Sequence, residues 1–343
     1  MRSLAIRCAL VACTALFTAA ATQAHAQVVI KLGTIAPEGS VWHDALLKVR
    51  QTWRDQSGGK VELRIYAGGV LGSEEELVRK LQRRVIDAVT LSGAGLPMLD
   101  NGFNCLNLPM LFDTPDKLDY IRNGLAPAIE ERLGKKGFKV LNWAVAGTVH
   151  FFAREPVRVP DDLRKQRLWM NAGYSEWEKL YKEFGLRIVP LPATDMLTSL
   201  QTGLIDAIPA PPLFVLLDRS YQVAGNMSDF SWAALLAATV VNAQAWERVP
   251  PELQAKLAAS SQEIGVTMRD AARKAGDDAV KEMQSRGLKV VATTEAERAL
   301  WRTEVEKAYP ILRNSFCPSE MFDEAIRLNK AFESGQRSAP ARK

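Results

Sequence analysis

The sequence predicts an α/β protein of two lobes, and three patterns lead to this fold class. The chain opens with a β-α-β-α-β alternation over residues 28–91, and a second strand-helix-strand unit follows over residues 187–208. A long pattern rich in alanine and charge then runs from Pro251 to about Ser285. Alternating strands and helices favour parallel sheets covered by helices. Strands between the two units can cross from one to the other, so we expect a cleft and mixed, mainly parallel sheets.

The first unit carries clear helix-start signals. Ser40 can cap a helix whose apolar residues recur at helical spacing. Ser73 and Glu76 match a capping box, and we predict that the buried stripe of the helix behind them continues to Val85. The strands predicted in this unit cover residues 28–33, 61–66 and 88–91.

Turn signals divide the rest of the chain in the same way. Glycines after apolar patterns, such as Gly185 and Gly203, predict helix ends. Gly265 predicts a kink in the long helix, and the basic tail over residues 335–343 is predicted to be disordered. Further strands are predicted over residues 138–143, 149–153, 167–170, 187–190 and 204–208, and further helices from residue 115 and over residues 174–184, 195–201, 251–285 and 295–309.

Residues 1–26 have the pattern of a cleaved secretory signal. Arg2 and Arg7 precede an apolar stretch over residues 8–17, and Ala24-His25-Ala26 matches the A-x-A pattern that signal peptidase recognises. Cleavage there predicts a periplasmic chain that begins at Gln27. A lipoprotein box ending at Cys13 is the alternative, and it would leave a short apolar region before the cysteine. No later apolar run approaches the roughly 20 residues that a membrane helix needs.

Charge and motif content argue against nucleic-acid binding and catalysis. Removing Arg2 and Arg7 from 44 basic residues leaves 42 against 39 acidic ones, a net charge of +3 without a basic stripe. The patterns H-E-x-x-H, C-x-x-C, G-x-S-x-G, G-x-G-x-x-G and the Walker loop do not occur, and beyond residue 26 the histidines are His43 and His150. Acidic residues such as Glu74–Glu76 are predicted to cap helices or face solvent. We therefore predict no catalytic residues, no cofactor and no metal site.

Two cysteines, Cys105 and Cys317, follow the predicted signal segment. An exported chain meets an oxidising compartment, where the two thiols can pair. Their spacing does not require a disulfide, so two buried free thiols are the alternative.

One segment relates the chain to a known family. Residues 188–207, IVPLPATDMLTSLQTGLIDA, run into IPAPP, and KVLNW, REPVRVPDDL and VNAQAWERVP surround them. With these segments the chain resembles, from about Val28 to about Ala308, the solute-binding proteins of tripartite ATP-independent periplasmic (TRAP) transporters of the dicarboxylate-binding (DctP) type. The resemblance implies a type II-like periplasmic binding fold with hinge strands and a helix that spans both lobes. It also implies a monomeric receptor, not an enzyme, that delivers a small-molecule solute to TRAP membrane permease subunits.

The resemblance also places the lobes and the ligand site. It implies a first lobe of residues 27–147 plus about 236–275, and a second lobe of residues 148–235 plus about 276–334. Ligands of two-lobed receptors bind in the cleft, beyond the carboxyl ends of strands. The predicted ligand-binding residues are Ile35, Trp42, Ser92, Gly93, Val149, His150, Phe151, Trp169, Met170, Asn171, Ala210, Phe214 and Trp232.

The predicted cleft departs from the acid-binding pattern that the resemblance implies. Acid-binding members hold the carboxylate with a strand arginine where this chain has Trp169, and often with a second basic residue where it has Val149. Ala210 replaces an asparagine, and the acidic or polar position after the third strand falls at Ser92 or Gly93. All four differences remove charge or hydrogen-bonding capacity from what the resemblance makes one pocket.

These differences predict a change of ligand class. Burying a carboxylate without a counter-charge costs several kcal/mol, so we expect a largely apolar or aromatic solute, with lipid-like molecules included. An organic acid held by Arg167 or Arg154 is the alternative within the class. An extracytoplasmic sensor subunit is the alternative from another class.

Overall fold

A computed structural model of the chain describes residues 27–112, 114–172 and 175–335. The predicted signal segment and residues 336–343 of the predicted disordered tail lie outside the described residues. None of the helices that the model describes combines the length and the apolar content that crossing a bilayer requires.

The described residues form ten strands in one curled arrangement. They pair in the order β2-β1-β3-β9-β4-β7-β5-β6, and β8 joins β4 to β10. Strands β1 to β3 run parallel, as do β5 to β7, while β4 and β9 run antiparallel to their neighbours. The predicted mixed, mainly parallel α/β fold is therefore confirmed. The strands are β1 (Val28–Thr34), β2 (Val61–Tyr66), β3 (Ala88–Ser92), β4 (Phe138–Ala153), β5 (Arg167–Asn171), β6 (Arg187–Leu191), β7 (Ala207–Ala210), β8 (Asn226–Ser228), β9 (Ala233–Asn242) and β10 (Lys289–Val291).

Helices cover the strands of both lobes, and short 3-10 turns occur at Leu96–Met98, Asn101–Leu106, Ala193–Asp195 and Ser220–Gln222. The chain also makes one π-helical turn at Leu312–Phe316. The helices of the described residues are α1 (Val41–Gln56), α2 (Glu74–Gln82), α3 (Pro115–Lys135), α4 (Pro160–Arg164), α5 (Ser175–Glu183), α6 (Met196–Gln201), α7 (Pro212–Asp218), α8 (Ala243–Glu247), α9 (Pro251–Ser285), α10 (Glu295–Lys307), α11 (Tyr309–Ile311) and α12 (Ser319–Glu333).

The predicted helix starts are confirmed. The Ser40 hydroxyl accepts a backbone N–H from the first turn of α1, and Ser73 and Glu76 form a reciprocal capping box at α2. The predicted burial of Val85 is wrong, because α2 ends at Gln82 and Val85 is 55% exposed. The helical spacing of apolar residues predicts burial only for residues that lie within the helix.

The strands that connect the lobes differ most from the prediction. Two separate strands were expected over residues 138–143 and 149–153, but β4 is continuous through both. Its partner β9, which the sequence did not predict, is apolar on both faces and shows no alternation. Gly147 of β4 pairs with Leu235 of β9, beside a shift of register. The predicted lobe boundaries at residues 147/148 and 235/236 thus lie opposite each other in one ladder.

Helix α9 is a single helix of 35 residues, as predicted, and packs against β4, α1 and α7. At 1.5 Å per residue it is roughly 50 Å long, enough to run beside both lobes. The helix passes through Gly265 without interruption. A Cβ atom at Gly265 would lie 2.7 Å from the carbonyl oxygen of Trp143 in β4, so this glycine lets helix and strand approach closely.

We expect Gly265→Ala to lower the free energy of unfolding by about 1–3 kcal/mol, because the added methyl meets main-chain atoms that cannot move aside. Gly276 is the matched control on the same helix, since a Cβ there meets no atom within 4 Å. Gly276→Ala should raise the free energy of unfolding by about 0.5–1 kcal/mol through helix propensity. Urea unfolding measures both. A Gly265→Ala variant as stable as the wild type would contradict the close crossing.

Of the two alternatives for the cysteines, the structure has free thiols. Cys105 and Cys317 are both buried in one hydrophobic core. Burial raises the pKa of the Cys105 thiol far above its usual value, and a hydrogen bond with Cys317 adds to the effect. The neighbouring side chain of Asn104 joins the same two segments, because Nδ2 donates to the carbonyl oxygen of Phe316 at 2.6 Å.

Candidate functional site

A cavity of about 280 Å³ lies where strand ends from both lobes meet; we call it the cleft cavity. Residues at the carboxyl ends of β1 and β3 form one wall, and residues at the carboxyl ends of β5 and β7 form the other. Ligands of α/β proteins bind at such ends because the chain leaves the sheet there and side chains converge. The cleft cavity is therefore the candidate ligand site.

Eleven of the thirteen predicted residues line the cleft cavity. The four positions at which charge or hydrogen-bonding capacity was predicted to be lost lie together in its wall. Direct contact of each residue with a ligand stays a prediction, as does the replacement of a family arginine by Trp169. The eleven residues are Ile35, Trp42, Ser92, Gly93, Val149, Trp169, Met170, Asn171, Ala210, Phe214 and Trp232.

His150 and Phe151 are not among the described residues of this wall. Nδ1 of His150 lies 3.0 Å from the carbonyl oxygen of Ser228, and burial lowers the pKa of the ring, which favours its neutral form. Phe151 is fully buried and stacks on Trp301 with ring centroids 5.6 Å apart. It lies deeper than Val149 along β4, behind the indole of Trp232, so sequence proximity to Val149 did not place it at the cavity.

Among the described residues that line the cavity, the single carboxylate is one that sequence reasoning misplaced. Glu74 was predicted to cap a helix or face solvent, and solvent exposure is wrong, because Glu74 is 5% exposed at the start of α2. Oε1 accepts the backbone N–H of Ser92 at 2.6 Å, and Oε2 accepts the Ser92 hydroxyl at 2.9 Å. The capping-box pattern does not distinguish Glu74 from the two glutamates that follow it.

Other lining residues were missed because their segments converge only in the folded chain. Asn107 follows a 3-10 turn, and its Nδ2 donates to the carbonyl oxygen of Gly93 at 2.7 Å. Its Oδ1 is buried and has no hydrogen-bond partner among the described residues. No local pattern marked these positions, since each belongs to an ordinary helix or turn. The missed lining residues include Asn107, Trp177, Tyr181, Met196 and Met268.

Trp232 belongs to the cavity wall and to the hydrophobic core at once. It is 1% exposed, and its ring contacts those of Phe151 and Trp301 at centroid distances of 5.2 and 5.6 Å. Nε1 donates to the Tyr181 hydroxyl at 3.3 Å. Burial raises the pKa of Tyr181 far above its usual value, so the phenol is neutral.

Trp42 and Trp169 are partly exposed indoles on opposite sides of the cavity. Trp42 lies on α1 and Trp169 on β5. Both Nε1 atoms are buried and have no hydrogen-bond partner in the part of the chain that the structure describes. An unpaired buried N–H costs free energy, so a ligand acceptor that reached either group after a small ring movement would be favoured.

Arg167 and Arg154, the alternative carboxylate-binding residues, donate to groups outside the described lining of the cleft cavity. Arg167 donates from Nε and NH2 to the Asp206 carboxylate, at 2.7 Å each, and this pairing holds the pKa of Asp206 below its usual value. Arg154 donates to the carbonyl oxygen of Leu200, and its Nε lies 3.8 Å from Asp206. Among the described residues that line the cleft cavity there is no arginine, lysine or histidine.

Metal binding has no candidate site in residues 27–112, 114–172 and 175–335. No three side chains of the His, Cys, Asp or Glu type come together there in a group that could hold a metal ion. The described lining of the cleft cavity is mainly apolar, and its hydrogen-bonding side chains include Ser92, Asn107 and Asn171.

The sequence profile of a family described as bacterial extracellular solute-binding protein, family 7 (DctP), matches residues 32–314. The chain belongs to this family. The match covers most of the chain, including the strands and helices that form the cleft cavity. A family 7 protein is a solute-binding receptor and not an enzyme, which agrees with the prediction from motif content.

Curated relatives of this family 7 protein match it over most of their own lengths. The 2,3-diketo-L-gulonate-binding periplasmic protein YiaO of Escherichia coli K12 is 24% identical over 251 residues, which cover 73% of this chain and 76% of the relative. A solute-binding protein of Chromohalobacter salexigens is 25% identical over 280 residues, which cover 80% of this chain and 71% of the relative. Both relatives are described as binding proteins.

Solved structures of TRAP periplasmic solute-binding proteins share the fold. One from Desulfovibrio desulfuricans, with bound sn-glycerol-3-phosphate, has a TM-score of 0.81 at 18% identity and covers 92% of this chain and 99% of its own. One from Desulfovibrio salexigens, with bound orotic acid, has a TM-score of 0.80 at 19% identity and covers 90% of this chain and 99% of its own. The two-lobed solute-binding fold predicted for the family 7 chain is therefore confirmed.

Proposed function

We propose that this protein is the periplasmic receptor of a TRAP-type transporter and captures a largely apolar or aromatic solute in the cleft cavity. The observation that carries the proposal is the lining, whose described residues offer four indole rings and no basic side chain. The receptor then delivers the solute to membrane permease subunits. Cleavage after Ala26 releases it into the periplasm as a monomer.

The charge of the wall argues against a small acid. A carboxylate that entered the cleft cavity would lose its hydration without gaining a counter-charge, which costs several kcal/mol. Glu74, the carboxylate already present, would add like-charge repulsion. An aromatic body that buries about 200 Å² of apolar surface gains about 5 kcal/mol instead, before the entropic cost of association.

An organic acid is the second candidate, because solved neighbours have acids bound. Orotic acid and succinate are bound in two of those structures. In this chain Arg167 or Arg154 would have to hold the acid, and each would first have to leave its present partner. A sensor subunit would use the same cleft, and the genes beside its own would distinguish it from a transporter receptor.

Thermal unfolding with a solute panel tests the proposal. We expect 2-naphthol and other neutral aromatic solutes to raise the Tm by several degrees, because a ligand at 100 times its Kd adds about 2.7 kcal/mol to a folded state that alone binds it. Succinate, lactate and sialic acid should leave the Tm unchanged. A succinate shift that disappears in Arg167→Ala would establish the acid receptor instead. Mass spectrometry of molecules that co-purify from the periplasm would then identify the solute.

A further inference from the structure

A second cavity, of about 270 Å³, adjoins the cleft cavity; we call it the side cavity. Ala94 and Trp177 line both cavities, so the two cavities adjoin at these residues. We propose that the side cavity receives the polar end of the solute, and that this end is a hydrogen-bond donor, an alcohol or an ammonium group, rather than an acid. This inference rests on the proposed apolar occupant of the cleft cavity. The remaining residues of the side cavity are Pro97, Met98, Asn101, Asn104, Glu176 and Ser315.

The first support is the side chain of Asn104, which is 2% exposed. Its Nδ2 donates to the carbonyl oxygen of Phe316 at 2.6 Å, and this bond fixes which end of the amide is the oxygen. Oδ1 is buried and has no hydrogen-bond partner among the described residues. Leaving a buried acceptor unpaired is costly, so a ligand O–H or N–H that pairs with Oδ1 recovers free energy.

The second support is the sign of the charge around both cavities. Glu176 contributes a carboxylate to the side cavity, as Glu74 does to the cleft cavity, and the described lining of neither cavity contains a basic residue. Arg132 reaches the edge of the side cavity, where its NH2 donates to Asn101 Oδ1 at 3.0 Å. Its Nε donates to Asp100 at 2.7 Å, so the charge is already paired. The surroundings therefore favour a neutral or positive end over a negative one.

The third support is the wall between the cavities. Trp177 packs edge-on against Phe316 with centroids 4.9 Å apart, and against Tyr181 at 5.4 Å, so its ring is held from behind. A fixed aromatic ring that lines both cavities attracts a cation placed over its face. The same ring gives apolar contact to the chain that links the two ends of the solute.

A matched ligand series tests the inference with the full mature protein. The probes are butylbenzene, 4-phenylbutan-1-ol, 4-phenylbutylamine and 4-phenylbutanoate, measured at pH 7 by displacement of fluorescent N-phenyl-1-naphthylamine. We expect butylbenzene to bind through the cleft cavity alone. The alcohol and the amine should bind about tenfold more tightly than butylbenzene and than the acid, the gain expected of one buried hydrogen bond.

Three variants locate the effect. Asn104→Leu should remove most of the tenfold gain and leave butylbenzene binding unchanged. Ala94→Leu should lower the ratio of alcohol to butylbenzene affinity by filling space between the cavities, and this ratio is the readout because Ala94 also lines the cleft cavity. It decides the matter if Asn104→Leu does not fold. Asn329→Leu is the control, because the Asn329 side-chain oxygen also has no hydrogen-bond partner among the described residues, while Asn329 lines neither cavity.

The outcomes separate this inference from the proposed function. If butylbenzene binds and the acid binds as tightly as the alcohol, the polar-end assignment is wrong and the apolar cleft stands. The assignment is also wrong if the gain survives in both Asn104→Leu and Ala94→Leu. If butylbenzene and the alcohol both fail to bind while succinate binds, the proposed function falls, and this inference falls with it.

Discussion

Trp169→Ala is expected to weaken the binding of an apolar solute by about 2 kcal/mol or more, a loss of roughly 30-fold in affinity. The indole of Trp169 lines the cleft cavity from β5 and is only partly exposed, so it can stack on a solute without leaving the core behind it. Truncation removes that contact surface and leaves a wider, wetter cavity. Titration with N-phenyl-1-naphthylamine, followed by its fluorescence, measures the change.

Arg167→Ala is the matched control, because Arg167 precedes Trp169 by two residues on the same strand and is outside the described lining. Its guanidinium is paired with Asp206. We expect the affinity for the probe to change less than twofold, with a modest loss of stability from the broken surface pair. Tight binding of a small dicarboxylate that is lost in Arg167→Ala, with no effect of Trp169→Ala, would show that the arginine holds an acid.

The parts of the fold that could be predicted depend on local signals. The capping serines Ser40 and Ser73 mark helix starts within four residues, and the long helix α9 repeats its pattern over many turns. Strand β9 has no such signal, since a strand buried on both faces lacks alternation. The prediction of Val85 as a core residue failed for a related reason, because periodicity does not show where a helix ends.

The residues of the candidate site also divide into those that could be predicted from the sequence and those that could not. Residues that follow predicted strands, such as Ser92 and Asn171, could be placed at the cavity because the family resemblance assigns these segments to the cleft. Glu74, Asn107 and Trp177 could not, because each reaches the cavity from a helix or turn whose orientation is set by tertiary packing. The pairing of Arg167 with Asp206 across 39 positions is another contact that no local pattern shows.

Trp232→Ala is expected to lower the free energy of unfolding by about 3–5 kcal/mol, the usual cost of truncating a fully buried tryptophan. Its ring contacts four other aromatic rings, and its removal also takes away the donor to Tyr181. Trp169→Ala should cost much less stability, because that side chain is partly exposed. Urea unfolding of both variants, with Trp232→Phe as the conservative change, measures the difference.

Comparing the variants of Trp232 and Trp169 distinguishes a role in the hydrophobic core from direct contact with the ligand. If Trp232 acts through the core, Trp232→Phe should recover much of the stability and bind the probe nearly as well as the wild type. Trp169→Ala should show the reverse pattern, with nearly normal stability and weak binding. A Trp232→Ala variant whose free energy of unfolding is within about 1 kcal/mol of the wild-type value would contradict the core role. In that case any loss of binding in this variant would have to come from direct contact between Trp232 and the solute.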